Sequence, residues 1–135
     1  MFKDDIRDLR VLVIDDSLEA VNLIRAMLQE LGLNQVFVSK DGRDALDFLG
    51  ACDDLVNVIL CDWNMPRLNG LDLLRQVRSV DPDFPFIMVT GAADLNLVKE
   101  ARANGVTGYI LKPFSARELE KKLRAVARLL AVRAA

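Results

Sequence analysis

The 135-residue chain predicts an α/β protein, a single doubly wound parallel sheet of five strands with five helices. Short apolar runs rich in valine and isoleucine alternate with longer stretches whose apolar residues recur at helical spacing. The runs are apolar throughout, as strands covered on both faces must be. Several of them stop on a charged or hydroxyl residue, and the connections between them are short.

Arg10 precedes the first run, Val11-Leu12-Val13-Ile14, which Asp15-Asp16-Ser17 ends. Leu18, Val21, Ile24, Leu28 and Leu31 then mark a helix stopped by Gly32. Val36-Phe37-Val38 is a brief second strand, Asp41-Gly42 turns the chain, and Ala45, Leu46 and Leu49 indicate a short helix. The third strand is predicted from Val56 to Cys61, with Asp62 at its end and Pro66 barring continuation. Asn69-Gly70 closes a loop before a helix marked by Leu71, Leu74, Val77 and Val80, which Asp81-Pro82-Asp83 breaks.

Pro85 belongs at a strand start, which places the fourth strand from Phe86 to Thr90. Ala92 to Asn104 predicts a weaker helix, with Leu95, Val98 and Ala101 inward and Gly105 as its stop. Gly108-Tyr109-Ile110-Leu111-Lys112 is the fifth strand, closed by Pro113. Ser115 and Glu118 have capping-box spacing ahead of a last helix with Leu119, Leu123, Val126, Ala127 and Leu130 as its stripe.

Composition excludes several classes. With 18 basic and 20 acidic residues the net charge is −2, so no overall field draws in nucleic acid or an anionic membrane. No apolar run approaches the roughly 20 residues of a membrane span, and Met1-Phe2-Lys3-Asp4-Asp5 lacks a signal peptide's apolar core. Cys52 and Cys61 show no metal or redox spacing and read as reduced packing residues of a cytoplasmic protein. Histidine is absent, which removes the commonest general base and metal ligand. The last helix carries Arg117, Lys121, Lys122, Arg124, Arg128 and Arg133 against Glu118 and Glu120. Such a run is a solvated face or a surface for an acidic partner.

Parallel strands bring their carboxyl ends to one edge, where ligands of open α/β sheets bind. Here that edge collects Asp15, Asp16, Asp62, Thr90 and Lys112. Taken singly, the polar groups have plainer explanations: Asp15-Asp16-Ser17 or Thr90 could cap helices, and Lys112 could be solvated. Carboxylates this close repel by about 4 kcal/mol at 4 Å and an effective dielectric of about 20. Protonation, a neighbouring cation or a bound metal must offset that. Oxygen-only ligands point to a hard divalent ion, Mg2+, and a lysine and hydroxyl beside an anchored carboxylate suit phosphoryl transfer onto that carboxylate.

The residues resemble the receiver domain of two-component response regulators, most closely the single-domain CheY-like type. The matching motifs are Asp15-Asp16, Asp62-Trp63-Asn64-Met65-Pro66 with Gly70, Thr90-Gly91-Ala92, and Tyr109 ahead of Lys112-Pro113-Phe114. The resemblance spans about Leu9 to Leu130 and implies one receiver domain over residues 1–135, without an output domain. It also implies a flavodoxin-like strand order, 2-1-3-4-5.

Residue by residue, the resemblance implies Asp62 as phosphoacceptor, Asp16 as direct Mg2+ ligand, and Asp15 acting largely through water. The Asn64 backbone carbonyl would complete the protein ligands. Lys112 would pair with the phosphoryl group across a cis Lys112-Pro113 peptide. Thr90 and Tyr109 would be the switch residues, while Trp63, Asn64, Gly91 and Ala92 would modulate the site. The expected partners are a sensor histidine kinase or histidine phosphotransfer protein, and a target bound through the fourth helix, fifth strand and fifth helix. The expected role is a phosphorylation-controlled switch that turns over no external substrate. A phosphorelay shuttle, a phosphate sink and a constitutive interaction module are the alternatives.

Overall fold

The computed structural model describes residues 5–91 and 95–134. A 3-10 turn, Ile6–Asp8, leads into strand β1 (Arg10–Ile14), followed by helix α1 (Leu18–Glu30), β2 (Gln35–Ser39) and α2 (Gly42–Cys52). A second 3-10 turn, Asp53–Leu55, precedes β3 (Val58–Asp62) and α3 (Gly70–Val80). The chain continues through β4 (Phe86–Thr90), α4 (Leu95–Ala103), β5 (Gly108–Leu111) and α5 (Ala116–Ala134). All strand pairs are parallel, in the order β2-β1-β3-β4-β5. This is the doubly wound topology the sequence predicts.

Two apolar layers sandwich the sheet, and strand parity assigns each residue to one of them. Val11, Val13, Val58, Leu60, Ile87, Val89 and Ile110 pack with Val21, Ile24 and Leu28 of α1 and with Leu119, Leu123 and Val126 of α5. Leu12, Ile14, Ile59, Cys61, Phe86 and Met88 pack with Ala45 of α2, Leu71, Leu74 and Val77 of α3, and Ala101 of α4. Cys52 and Cys61 are both free thiols. Burial pushes the Cys61 thiol well up, and the charges of Asp62 and Asp15 add to the rise, so it packs as an apolar group. No helix among the described residues is long and apolar enough to cross a membrane.

Some boundaries differ from expectation. β3 begins at Val58 and takes in Asp62; Val56 is buried before it, and the Asn57 N–H donates to the Arg10 carbonyl at 2.8 Å. β5 ends at Leu111, so Lys112 follows the strand rather than closing it. α4 is described from Leu95, and the Ala92 start predicted for it lies outside the described residues. Leu18 and Val80, both among the apolar residues whose spacing marks their helices, are 74% and 86% exposed. They are the first residue of α1 and the last of α3, helix ends where the apolar spacing continues past the buried stripe. The capping box forms: Glu118 N–H donates to Ser115 Oγ at 3.1 Å, and Ser115 N–H to Glu118 Oε1 at 3.4 Å.

Burial therefore separates two positions that share one stripe. Leu74→Ala should cost about 2–5 kcal/mol of unfolding free energy, and Val80→Ala should stay within about 0.5 kcal/mol of wild type. Urea titrations of the two variants check this; equal costs would contradict the layer assignment.

Candidate functional site

The site lies at the carboxyl edge of the sheet, and parity explains its membership. Asp15 continues the face of Val11 and Val13, Asp62 that of Val58 and Leu60, and Lys112 that of Ile110. The same alternation that buries the core thus aims three ionisable groups at one pocket. Asp16 joins them from the β1–α1 loop. One oxygen from each of Asp15, Asp16 and Asp62 lies within 4.8 Å of the others.

Helix capping does not occupy this cluster. The cap of α1 is Ser17, whose Oγ accepts from Ala20 N–H at 3.2 Å. Asp15 is buried, its Oδ1 accepting from Ser17 N–H at 2.9 Å and its Oδ2 from Lys112 Nζ at 3.0 Å. Lys112 also lies 3.5 Å from Asp62 Oδ1, so it pairs chiefly with Asp15. Asp16 is exposed and stands at the open side.

Charge arithmetic makes the pocket incomplete as it stands. Three carboxylates and one ammonium leave two uncompensated negative charges. Carboxylate oxygens within 4.8 Å of one another repel by at least about 3.5 kcal/mol per ionised pair at an effective dielectric of about 20. Burial raises the Asp62 carboxyl above the ordinary range; the Lys112 charge opposes this and the Asp15 charge adds to it. Burial works to lower the Lys112 ammonium, but its hydrogen bond to Asp15 and the charges of Asp62 and Asp15 outweigh that and raise it. A cluster of carboxylate oxygens with a surplus of two negative charges fits a hard divalent cation.

Neighbouring backbone holds Asp62 in place. Gly70 N–H donates to the Trp63 carbonyl at 2.9 Å, and Trp63 N–H to the Val89 carbonyl at 3.2 Å. A Cβ on Gly70 would sit 2.6 Å from the Asp62 carbonyl oxygen, so only glycine lets α3 start this close to β3. Trp63 is buried against the α2–α4 layer, and Asn64 is exposed.

Comparison with known proteins settles the family. The model for the response regulator receiver domain matches residues 11–124. The chain belongs to the response regulator receiver family. It is 39% identical over 120 residues to a chemotaxis protein CheY homolog of Campylobacter jejuni, covering 87% of this chain and 92% of that one. It is 34% identical over 119 residues to chemotaxis protein CheY-3 of Vibrio cholerae, covering 87% and 90%. Among solved structures, V. cholerae CheY4 superposes with a TM-score of 0.79 at 32% identity, over 87% of this chain and 98% of that one. A receiver domain protein from Clostridium thermocellum gives 0.86 at 26% identity, covering 93% and 98%.

The remaining receiver positions fall as follows. Thr90 is buried at the end of β4, and its carbonyl accepts from Lys112 N–H at 2.8 Å. The Lys112-Pro113 peptide is cis. Tyr109 pairs in register with Met88 and packs half-buried against the α2–α4 layer. Its ring lies under Arg102 and Lys122, 5.9 and 5.8 Å from their charged centres. Gly91 is exposed with open space where a side chain would be, and Ala92 lies outside the described residues.

Sequence reasoning missed an ion pair beside this site. Arg67 donates to Asp41 Oδ2 through Nε at 3.1 Å and Nη2 at 2.5 Å. Asp41 Oδ1 accepts from Asp44 N–H at 2.8 Å in the first turn of α2. The Asp44 N–H, and then Arg67, hold the Asp41 carboxyl below its usual range. The Asp41-to-Asp44 spacing hinted at the cap; nothing in the sequence links Arg67 to it.

The surplus of negative charge has consequences for stability in chelator-treated protein. Asp62→Asn should be more stable than wild type at pH 7, because it removes an ionised group whose folded pKa is raised. That advantage is complete above the folded pKa of Asp62. It fades as pH falls and is gone below the ordinary value of 3.8, where the carboxyl is protonated in both states. Lys112→Met should instead cost about 2–4 kcal/mol at pH 7, by leaving buried Asp15 without its cation. Urea unfolding across pH tests both signs.

Proposed function

We propose that this receiver domain is a phosphorylation-controlled switch in which Asp62 accepts a phosphoryl group. The observation that carries the proposal is the meeting of three carboxylates within 4.8 Å, with the Lys112 ammonium 3.5 Å from Asp62. Asp62, Asp16, Asp15 through water and the Asn64 carbonyl would hold Mg2+. Bound there, Mg2+ would neutralise charge on the phosphoryl oxygens, which is most of what catalysis of this transfer needs.

The chain's own residues do the rest. An Asp62 carboxylate oxygen attacks phosphorus and displaces the donor's leaving group, forming an acyl phosphate. Lys112, already between Asp15 and Asp62, stabilises the new dianion by turning from one carboxylate to the phosphoryl oxygens. Thr90, on the strand next to β3, hydrogen-bonds the phosphoryl group, and Tyr109 follows on the same sheet face. Asn64, exposed two residues past the acceptor, governs water access to the acyl phosphate. The phosphoryl group brings about −1.5 to −2 units of charge. That charge biases a two-state equilibrium, and a shift from 1:99 to 99:1 needs about 5.5 kcal/mol of differential interaction.

The donor would be a cytoplasmic histidine kinase or histidine phosphotransfer protein, and the output a protein partner bound at α4, β5 and α5. The similarity to chemotaxis CheY proteins supports a signalling role over turnover of an external substrate. On α5 some of the basic run is engaged internally: Arg124 pairs with Glu120 at 2.7 Å, and Arg133 donates to the Asp83 carbonyl. Lys122 stays beside Tyr109, within the proposed output face.

Incubation with Mg2+ and a radiolabelled small phosphodonor such as acetyl phosphate tests the assignment. Wild type should take up about one acid-stable, hydroxylamine-labile phosphoryl group per chain, as an acyl phosphate does. Asp62→Asn and chelator-treated wild type should take up none. Equal labelling of Asp62→Asn would sink the proposal.

A further inference from the structure

The loop that carries Asn64 runs from Trp63 to Gly70 and is pinned at both ends. Its base is closed by the Gly70 N–H to Trp63 carbonyl bond. At its tip, Leu68 N–H reaches back to the Pro66 carbonyl at 2.7 Å, a three-residue γ-turn centred on Arg67. Arg67 has φ +67°, the one left-handed non-glycine residue among those described. A side chain with a Cβ disfavours that conformation, so something outside the turn must hold it.

Asp41 supplies that hold. Its side chain is 6% exposed, and the Arg67 side chain that meets it is 56% exposed. Leu68 reinforces the contact by lying on Gly42, where a Cβ would come within 2.6 Å of the Leu68 carbonyl oxygen. The loop tip is thereby fastened to the start of α2, and α2 is fastened to the sheet by buried Ala45. Asn64 sits between the fastened tip and the fastened base.

We propose that Arg67 is a positioning residue for the metal site: its ion pair with Asp41 holds the loop that presents the Asn64 carbonyl to the carboxylate cluster. The inference rests on the Mg2+ site of the proposed function. A glycine at position 67 would adopt the same backbone without strain, yet could not tie the tip to α2. The arginine therefore contributes something the turn alone does not require. Partners that orient metal ligands typically change affinity by about 10–100-fold. Arg67 acts through a loop and not directly on the ligand, so about 3–10-fold is expected.

Isothermal titration calorimetry with Mg2+ on the full chain provides the test, with the intrinsic fluorescence of Trp63, the single tryptophan, as a second readout. Arg67→Gly keeps the left-handed turn and removes the pair. Asp41→Asn keeps an acceptor for the Asp44 N–H and removes the charge. Each should weaken Mg2+ binding about 3–10-fold, while the metal-free protein of each variant still unfolds in one cooperative transition above the temperature of the titration. The double variant should be no weaker than the weaker single, because both act through one contact. Arg67→Lys should recover part of the loss.

Unchanged affinity in both single variants would overturn the inference, as would a double variant weakened by the product of the two singles. Failure of wild type to bind Mg2+ saturably would overturn the proposed function itself, and this inference with it.

Discussion

One ammonium group governs the chemistry of this fold. Lys112 reaches its carboxylates from beyond β5, across β4, and stands within 3.5 Å of both Asp15 and Asp62. Without it, a nearly buried carboxylate would face two others with no protein charge against it. With it, the pocket is held together but still carries more negative than positive charge. That imbalance is the useful property. A site neutral by itself would have little affinity for a cation, and one without the lysine would be too costly to fold.

The sheet makes this arrangement possible by two simple rules. Parallel direction brings every strand's carboxyl end to one edge, and alternation decides which residues there share a face. Asp15 and Asp62 stand on adjacent strands at the same parity, with the α1–α5 layer behind them. Thr90 has the parity of Phe86 and Met88 and belongs to the opposite layer, where Tyr109 also packs. Asp62 and the pair Thr90 and Tyr109 therefore start from opposite faces of one sheet edge. Any contact between them is made past the carboxyl ends of β3 and β4, where both Asp62 and Thr90 terminate their strands.

Much of this was legible in the sequence, because the signals were local. Uninterrupted apolar runs such as Val11–Ile14 announce strands covered on both faces, and a polar residue ending each run marks the ligand edge. The capping box at Ser115 and Glu118 was legible for the same reason, since the partners lie three residues apart. Periodicity failed at Leu18 and Val80: spacing reports the direction a side chain takes but not whether anything packs over it at a helix end. Pairings across long sequence separations were hidden. Arg67 and Asp41 meet across a sequence separation of 26, and the left-handed backbone of Arg67 carries no signature in its residue type, which elsewhere would suggest glycine. The chain of contacts at Tyr109 was equally silent, since Arg102 and Lys122 reach its ring from two different helices.

The hydrogen bond from Lys112 N–H to the Thr90 carbonyl sets a limit on how this edge can respond to a ligand. It continues the β4–β5 ladder one step past the last residue of the strand, so the main chains of the two residues travel together. Neither can slide without disturbing the register from Ile87 onward, and that register is locked by side chains buried on both surfaces. The sheet is in this sense a fixed ruler. Rotation about side-chain bonds and adjustment of the flanking loops remain as the moving parts, and these run on timescales of roughly picoseconds to microseconds, which favours quick reversal over a slow rearrangement of strands.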